Sequence, residues 1–227
     1  MSKVFSVAID GPVGAGKSCV AKKVAERLNA AYLDTGAMYR AVGLYMLENG
    51  VSLEDGAAIA ENAGKAHVDV RYEGREQHTC LNGRDVTGEL RRPEVSLASS
   101  AVAKVHAVRE ALVNRQRELA RGISLVMDGR DIGTCVLTDA TLKIFLTATP
   151  EERARRRFRQ MNGRGGQSFE DVLNDLIRRD RNDMSRAESP LRCAEDAVEL
   201  DSTSLTEDEV VERIVSLLME RTGGERA

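Results

Sequence analysis

The chain has 227 residues, 42% of them hydrophobic and 30% charged. This is the balance of a globular protein with one α/β domain and an insert, or at most two small domains. Its 33 basic and 36 acidic residues leave a net charge of −3, with no Trp and only 4% aromatic residues. Such a composition argues against nucleic acid as a partner, because it offers neither an excess of positive charge nor base-stacking platforms.

The cysteines and the apolar segments indicate the cellular compartment in which the protein is found. The four cysteines are scattered without a CxxC pair, so we expect free thiols rather than a disulfide framework or a zinc site. Asp10 interrupts the apolar N-terminal stretch, and no apolar run approaches the length of a membrane span. We therefore expect a cytoplasmic protein without a membrane partner.

Strands and helices alternate in the first fifty residues. An apolar run predicts a buried strand over 4–9, and apolar residues at helical spacing predict a helix over 17–28. A brief strand at 32–33 and a helix over 37–48 follow, and this helix stops near Asn49-Gly50.

After residue 61 the sequence pattern changes from parallel-strand and helix signals to hairpin signals. Residues 62–90 contain two alternating stretches and the hairpin signal Asn82-Gly83, which predicts a small antiparallel sheet. One long helical stretch is predicted over 93–121. The remaining predicted elements are strands at 123–127, 142–146 and 198–200, and helices at 151–160, 169–181 and 207–220.

This order of elements predicts a parallel sheet with helices on both faces. In such sheets, ligands bind beyond the carboxyl ends of the strands. The segments with the most distinctive chemistry, residues 11–18, 34–40 and 128–131, all follow predicted strands.

The first of these segments matches the phosphate-binding pattern GxxxxGK followed by Ser or Thr, between a strand and a helix. Its members, which we assign to ATP, are Gly11, Pro12, Val13, Gly14, Ala15, Gly16, Lys17 and Ser18. Lys17 is expected to hold the β- and γ-phosphates, and Ser18 to supply a hydroxyl to Mg²⁺. The motif indicates a bound nucleoside triphosphate, but leaves hydrolysis, transfer and sensing open.

The second segment, DTGAMYR, places Thr35 and Gly36 at a helix start and Arg40 about one turn later. Helix starts bind oxyanions, and a planar guanidinium suits a phosphate or a carboxylate. A helix cap followed by a surface arginine is the alternative.

The third segment, DGRDIGT, has two acids around one arginine. Arg130 could neutralise a phosphate, Asp128 could orient Mg²⁺ or its waters, and Asp131 could accept a hydrogen bond from an amino group. We predict catalytic roles for Lys17, Asp128 and Arg130. The alternative is a turn stabilised by an internal ion pair.

The motifs GPVGAGKS, DTGAMYR, LNGRDVTGELRRPEV and DGRDIGT, in this order, resemble those of the bacterial cytidylate kinases. The resemblance implies a P-loop core with a central five-stranded parallel sheet, a monomer, and transfer of the γ-phosphoryl group of ATP to CMP or dCMP. It also implies a set of substrate-binding residues. Thr35, Arg40 and Arg130 would hold the acceptor phosphate, Ser100, Arg109 and Asp131 would read cytosine, Arg179 and Asp183 would contact the sugar, and Arg186 would approach the phosphates.

Residues 151–192 are rich in arginine. A solvated helix face paired with neighbouring acids is one interpretation, and an RNA-binding patch lacks the interleaved aromatic residues. We favour a lid that brings positive charge onto the transferred group, with Arg157 and Arg164 as candidates. The predicted organisation is a core at 1–61, 91–150 and 193–227, a monophosphate-binding insert at about 62–90, and the lid at about 151–192.

Two rival functions remain at this point. One is another small-molecule kinase on the same core, acting on AMP, shikimate or dephospho-coenzyme A, against which the motif DGRDIGT and the insert argue. The other is a nucleotide-sensing regulator, which would need no acceptor site.

Overall fold

A computed structural model describes residues 4–161 and 168–223 of the chain. These residues fall into two compact units. The first unit comprises the described residues up to Ala31 and from Ile123 onward, and the second comprises Tyr32–Gly122. The predicted limits of core, insert and lid stay predictions.

The central sheet has five strands in the order β2-β6-β1-β7-β8. The strands are β1 (Ser6–Asp10), β2 (Ala31–Asp34), β6 (Leu125–Asp128), β7 (Leu142–Thr147) and β8 (Val198–Asp201). β1 pairs in parallel with β6 and β7, and β7 pairs in parallel with β8. Because β1 is buried in the middle of the sheet, its residues Val7, Ala8 and Ile9 are fully inaccessible. The predicted five-stranded parallel sheet is confirmed.

Four α-helices of the first unit lie within the described residues. They are α1 (Lys17–Arg27), α6 (Pro150–Met161), α7 (Phe169–Met184) and α8 (Glu207–Thr222). Helix α1 packs on β1 and β6, α8 packs on β7, and α6 and α7 pack on each other. Capping boxes at Ser168 and Thr206 satisfy the first amides of α7 and α8. A π-helical turn at Ile132–Val136 follows β6 and was not predicted. None of the helices within the described ranges combines the length and apolar character that a membrane span needs.

The second unit contains a small sheet and four helices. The antiparallel strands are β3 (Val68–Glu73), β4 (Glu76–Leu81) and β5 (Arg84–Asp85), with Asn82 and Gly83 at the predicted turn. The helices are α2 (Thr35–Glu48), α3 (Gly56–Ala63), α4 (Pro93–Val102) and α5 (His106–Leu119). The predicted antiparallel sheet is confirmed.

One prediction about the helices of this unit was wrong, and one helix was missed. The long helical stretch expected over 93–121 is two helices, because α4 ends at Val102 and the backbone of Val105, just before α5, is extended, with φ −94° and ψ 122°. The apolar spacing continues across this break, so the sequence pattern conceals it. Helix α3 was missed because it has only eight residues, although Asp55 caps it by accepting from two of its amides.

Candidate active site

The phosphate loop of the first unit joins β1 to α1. Gly11, Gly14 and Gly16 all have positive φ angles, of 146°, 80° and 89°. At Gly11 a Cβ atom would lie 2.0 Å from the carbonyl oxygen of Leu146 on β7. Only glycine therefore allows the loop to leave β1 this close to the neighbouring strand.

Lys17, the first residue of α1, is buried beneath this loop. Its Nζ donates to the carbonyl oxygens of Gly11 at 2.8 Å and Pro12 at 2.7 Å. Burial lowers the pKa of Lys17 to about 7, and the positive charge of Arg130 acts in the same direction. Nearby carboxylates oppose the change. The lysine thus lies where phosphate oxygens could replace two carbonyl partners.

Ser18 and Asp128 form the site proposed for magnesium. The Ser18 hydroxyl donates to Oδ2 of Asp128 at 2.9 Å, which joins the start of α1 to the end of β6. A hydroxyl and a carboxylate are both oxygen ligands of the kind Mg²⁺ takes, and magnesium that arrives with ATP needs few protein ligands. These two residues therefore fit the ion.

Asp10, which we did not predict as a site residue, anchors the loop after β6. Its carboxylate accepts from the amides of Ile132 at 2.8 Å and Gly133 at 2.7 Å, and thereby holds the π-helical turn beside Asp128 and Asp131. Burial raises the pKa of Asp10 to about 6, against the effect of these two hydrogen bonds. The only signal in the sequence is an acid at the end of a buried strand.

Asp183 of α7 joins two of the predicted arginines. Its Oδ2 accepts from Nε of Arg130 at 2.9 Å, and its Oδ1 accepts from Arg186. Arg130 also donates to the carbonyl of Gly129 at 3.2 Å. The ion pair of Arg130 with Asp183 reaches out of the DGRD turn, so the segment is more than a self-contained charged turn.

Arg179 belongs to the same group of charges. Burial lowers the pKa of its guanidinium, and the positive charges of Arg130 and Arg157 add to that effect. The first unit therefore brings together Arg130, Arg157, Arg179, Asp183 and Arg186, with Asp175 4.0 Å from Arg179. Arg164 lies outside the described residues.

The second unit contains the other predicted acceptor residues. Asp34 caps α2 by accepting from the amide of Ala37 at 2.9 Å, and its other oxygen accepts from Arg40 at 2.8 Å. Thr35, the first residue of α2, is buried. The side chain of Gln77 forms two hydrogen bonds with the backbone of Asp34. It accepts from the Asp34 amide at 2.7 Å and donates to the Asp34 carbonyl at 3.3 Å. The role of Gln77 was not predicted.

The residues assigned to cytosine in this unit lie on α4 and α5. Arg109 is buried on α5, and its guanidinium carbon lies 5.9 Å from the ring centre of Tyr39 on α2. Ser100 is half-buried on α4. The hydroxyl of its neighbour Ser99 donates to the carbonyl of Ser96 at 2.8 Å, one turn earlier in α4.

Comparisons with known proteins agree over most of the chain. The model of the family "Cytidylate kinase" matches residues 7–220. Cytidylate kinase from Desulforamulus reducens is 52% identical over 95% of this chain and 97% of its own, and that from Caldicellulosiruptor bescii is 48% identical over 95% and 96%. An uncharacterized protein from Eubacterium ventriosum shares the fold, with a TM-score of 0.52 and 17% identity over 96% of this chain and 99% of its own. The chain belongs to the cytidylate kinase family.

Proposed function

We propose that the protein transfers the γ-phosphoryl group of ATP to CMP or dCMP and releases ADP with CDP or dCDP. The observation that carries the proposal is the arrangement of charged side chains in the first unit, where Lys17, the Ser18–Asp128 pair and the Arg130–Asp183 pair lie around the loop between β1 and α1 and the end of β6. Family membership over residues 7–220 supports the choice of acceptor.

On the donor side, the backbone amides of the phosphate loop and the N-terminus of α1 would bind the phosphates of ATP. The Lys17 ammonium would exchange the carbonyls of Gly11 and Pro12 for β- and γ-phosphate oxygens. Ser18 and Asp128 would hold Mg²⁺, which supplies positive charge to the phosphates when bound.

On the acceptor side, we assign roles residue by residue from the family resemblance. Arg130 of the first unit, and Thr35 and Arg40 of the second, are assigned to the acceptor phosphate. The residues assigned to the cytosine edge are Ser100, Arg109 and Asp131. Arg179 and Asp183 are assigned to the sugar, and Arg186 to the phosphates. A carboxylate, a hydroxyl and a guanidinium together can complement the amino group and the two acceptors of cytosine.

The proposed reaction needs no strong general base. The attacking group is a phosphate oxygen that is already ionised at neutral pH. The protein's part is to place the two nucleotides in line and to neutralise charge on the transferred group. Half-buried arginines such as Arg179 and Arg186 suit this task, because their charges act more strongly where they are partly shielded from water.

We further propose that the enzyme acts as a cytoplasmic monomer without a nucleic-acid partner. The rival hypothesis of a nucleotide-sensing regulator is not favoured. Such a regulator would bind ATP at the same loop, but it would not need Arg130 and Arg186, which the Asp183 carboxylate holds in place.

A coupled assay of ADP release with ATP and Mg²⁺ tests the proposal, with CMP, dCMP, UMP, AMP and shikimate offered separately. We expect ADP to appear with CMP and dCMP at rates well above those with the other acceptors. Equal rates with AMP or shikimate would overturn the choice of acceptor. ADP release that needs no acceptor would indicate a nucleotide hydrolase.

A further inference from the structure

An ion pair outside the phosphate loop holds the tip of that loop. Nη1 of Arg153 on α6 lies 2.6 Å from Oδ2 of Asp180 on α7. Both residues are buried, with relative exposures of 4% and 8%. The interpretation of the arginine-rich helices as a solvated face therefore does not apply to this pair.

Both members of the pair also bond the loop at Val13. Its carbonyl oxygen accepts from Nη1 of Arg153 at 2.8 Å, and its amide donates to Oδ1 of Asp180 at 3.1 Å. Nε of Arg153 donates in turn to the carbonyl of Ala148 at 2.9 Å, just before α6 begins. Both backbone polar groups of Val13 are thus fixed from α6 and α7.

Apolar contacts join the same three parts of the chain. The side chain of Val13 packs against the buried cluster of Ala154, Val172 and Leu176 on α6 and α7. Gly14 has a φ angle of 80°, and a Cβ atom there would lie 3.3 Å from Cβ of Arg153. The loop tip is therefore packed closely onto the two helices as well as hydrogen-bonded to them.

A buried ion pair is a poor device for stability alone. Taking two charges out of water costs several kcal/mol, and well-packed apolar residues of similar volume often stabilise a protein equally well or better. Apolar side chains, however, could not bond the amide and the carbonyl of Val13. A carbonyl oxygen bound to Arg153 also cannot turn toward a bound anion, which it would repel.

We propose that Arg153 and Asp180 are positioning residues for ATP, which keep the phosphate loop at Val13 in the conformation that binds the nucleotide. The inference rests on the proposed function for the identity of the nucleotide. Neither residue needs to touch ATP, because each acts through the backbone of Val13.

The double variant Arg153→Met/Asp180→Leu separates positioning from stability. It removes both charges and keeps apolar bulk, so we expect its thermal midpoint to stay close to that of the unmodified protein. Loss of two hydrogen bonds to the loop should raise the ATP dissociation constant roughly tenfold. The KM for ATP should rise with it, while the KM for CMP changes less than twofold.

Two single variants keep the test decisive if the double variant does not fold. Asp180→Asn retains an oxygen that can accept from the Val13 amide, so its ATP dissociation constant should rise less than that of Arg153→Lys. Lysine cannot donate to Ala148, Val13 and Asp180 in the fork geometry of arginine. Arg155→Met is the matched control, because Arg155 is exposed on α6 and pairs with Glu152 at 2.6 Å.

Calorimetric titration with Mg²⁺ and ATP, in the absence of CMP, gives the decisive dissociation constants. If folded variants of Arg153 and Asp180 have ATP dissociation constants within twofold of that of Arg155→Met, the proposal is refuted. The pair would then have only a structural role. An unmodified protein that binds ATP but phosphorylates no CMP would refute the proposed function, and the comparison of dissociation constants would still decide this inference. Failure of the unmodified protein to bind ATP would overturn both.

Discussion

The sharpest prediction concerns Gly11→Ala, because two separate penalties meet at that position. The φ angle of 146° is a conformation that alanine rarely adopts, and the new Cβ atom would lie 2.0 Å from the Leu146 carbonyl oxygen and 3.0 Å from its carbon. The atoms in contact are backbone atoms of β7, which pairs directly with β1. Relief therefore requires the sheet or the loop to shift.

Each penalty has a known scale. A non-glycine residue in a sparsely populated backbone region costs about 1–3 kcal/mol, and overpacking of a well-packed interior costs typically about 1–3 kcal/mol. Their sum, about 2–6 kcal/mol, is a large part of the 5–15 kcal/mol of unfolding free energy of a typical protein. We expect Gly11→Ala to lose most of its ATP binding and to unfold at a markedly lower urea concentration.

Gly223→Ala is the matched control for the backbone penalty alone. Gly223 ends α8 with a φ angle of 75°, and nothing lies within 4 Å of the position its Cβ atom would take. Its cost should be about 1–2 kcal/mol. Urea unfolding of both variants, followed by circular dichroism, measures the difference. Equal destabilisation of the two variants would refute the claim that the close approach to β7 is what requires glycine.

Three further predictions concern the site. Binding of Mg²⁺ and ATP at pH 8 should take up close to one proton, because Lys17, with its pKa near 7, is mostly neutral at that pH and bound phosphates favour its charged form. Calorimetry in buffers of different ionisation enthalpy measures this proton uptake, and Lys17→Arg should abolish it. Asp131→Ala should narrow the preference for CMP over UMP by roughly one to two decades in kcat/KM, because UMP leaves the carboxylate acceptor unpaired at a cost of about 1–3 kcal/mol. An unchanged ratio of kcat/KM for CMP to that for UMP would show that Asp131 does not recognise the base. Asp128→Asn should raise the Mg²⁺ concentration for half-maximal activity and leave the KM for CMP within twofold; an unchanged magnesium titration would contradict the pairing of Asp128 with Ser18 as the magnesium site.

The parts of this fold that could be predicted are those encoded by local patterns. The apolar run before Asp10, the glycines of the phosphate loop and the helical spacing after Lys17 together predict strand, loop and helix, and β1 and α1 are found there. The turn at Asn82-Gly83 could also be predicted, because two adjacent residues are enough to indicate it. The break between α4 and α5 escaped prediction because apolar residues continue through it at helical spacing.

The partners of charged residues could not be predicted, since they lie far apart in the sequence. Asp183 is 53 residues from Arg130, and Arg153 is 140 residues from Val13. Within an arginine-rich helix such as α6, the buried Arg153 and the exposed Arg155 look alike in the sequence. Only the packing of α6 and α7 against the loop distinguishes the two.

The charged groups of the first unit share one arrangement. Lys17 is held by two carbonyl oxygens, and Arg130 and Arg186 share the carboxylate of Asp183. Asp10 fixes the turn after β6 through two amides. Each of these basic side chains is thus oriented by an oxygen partner before any phosphate arrives, so nucleotide binding can proceed by exchange of one oxygen for another. Because the protein is already organised around these charges, little reorganisation is left for the transfer step, which is the condition under which electrostatic stabilisation is most effective.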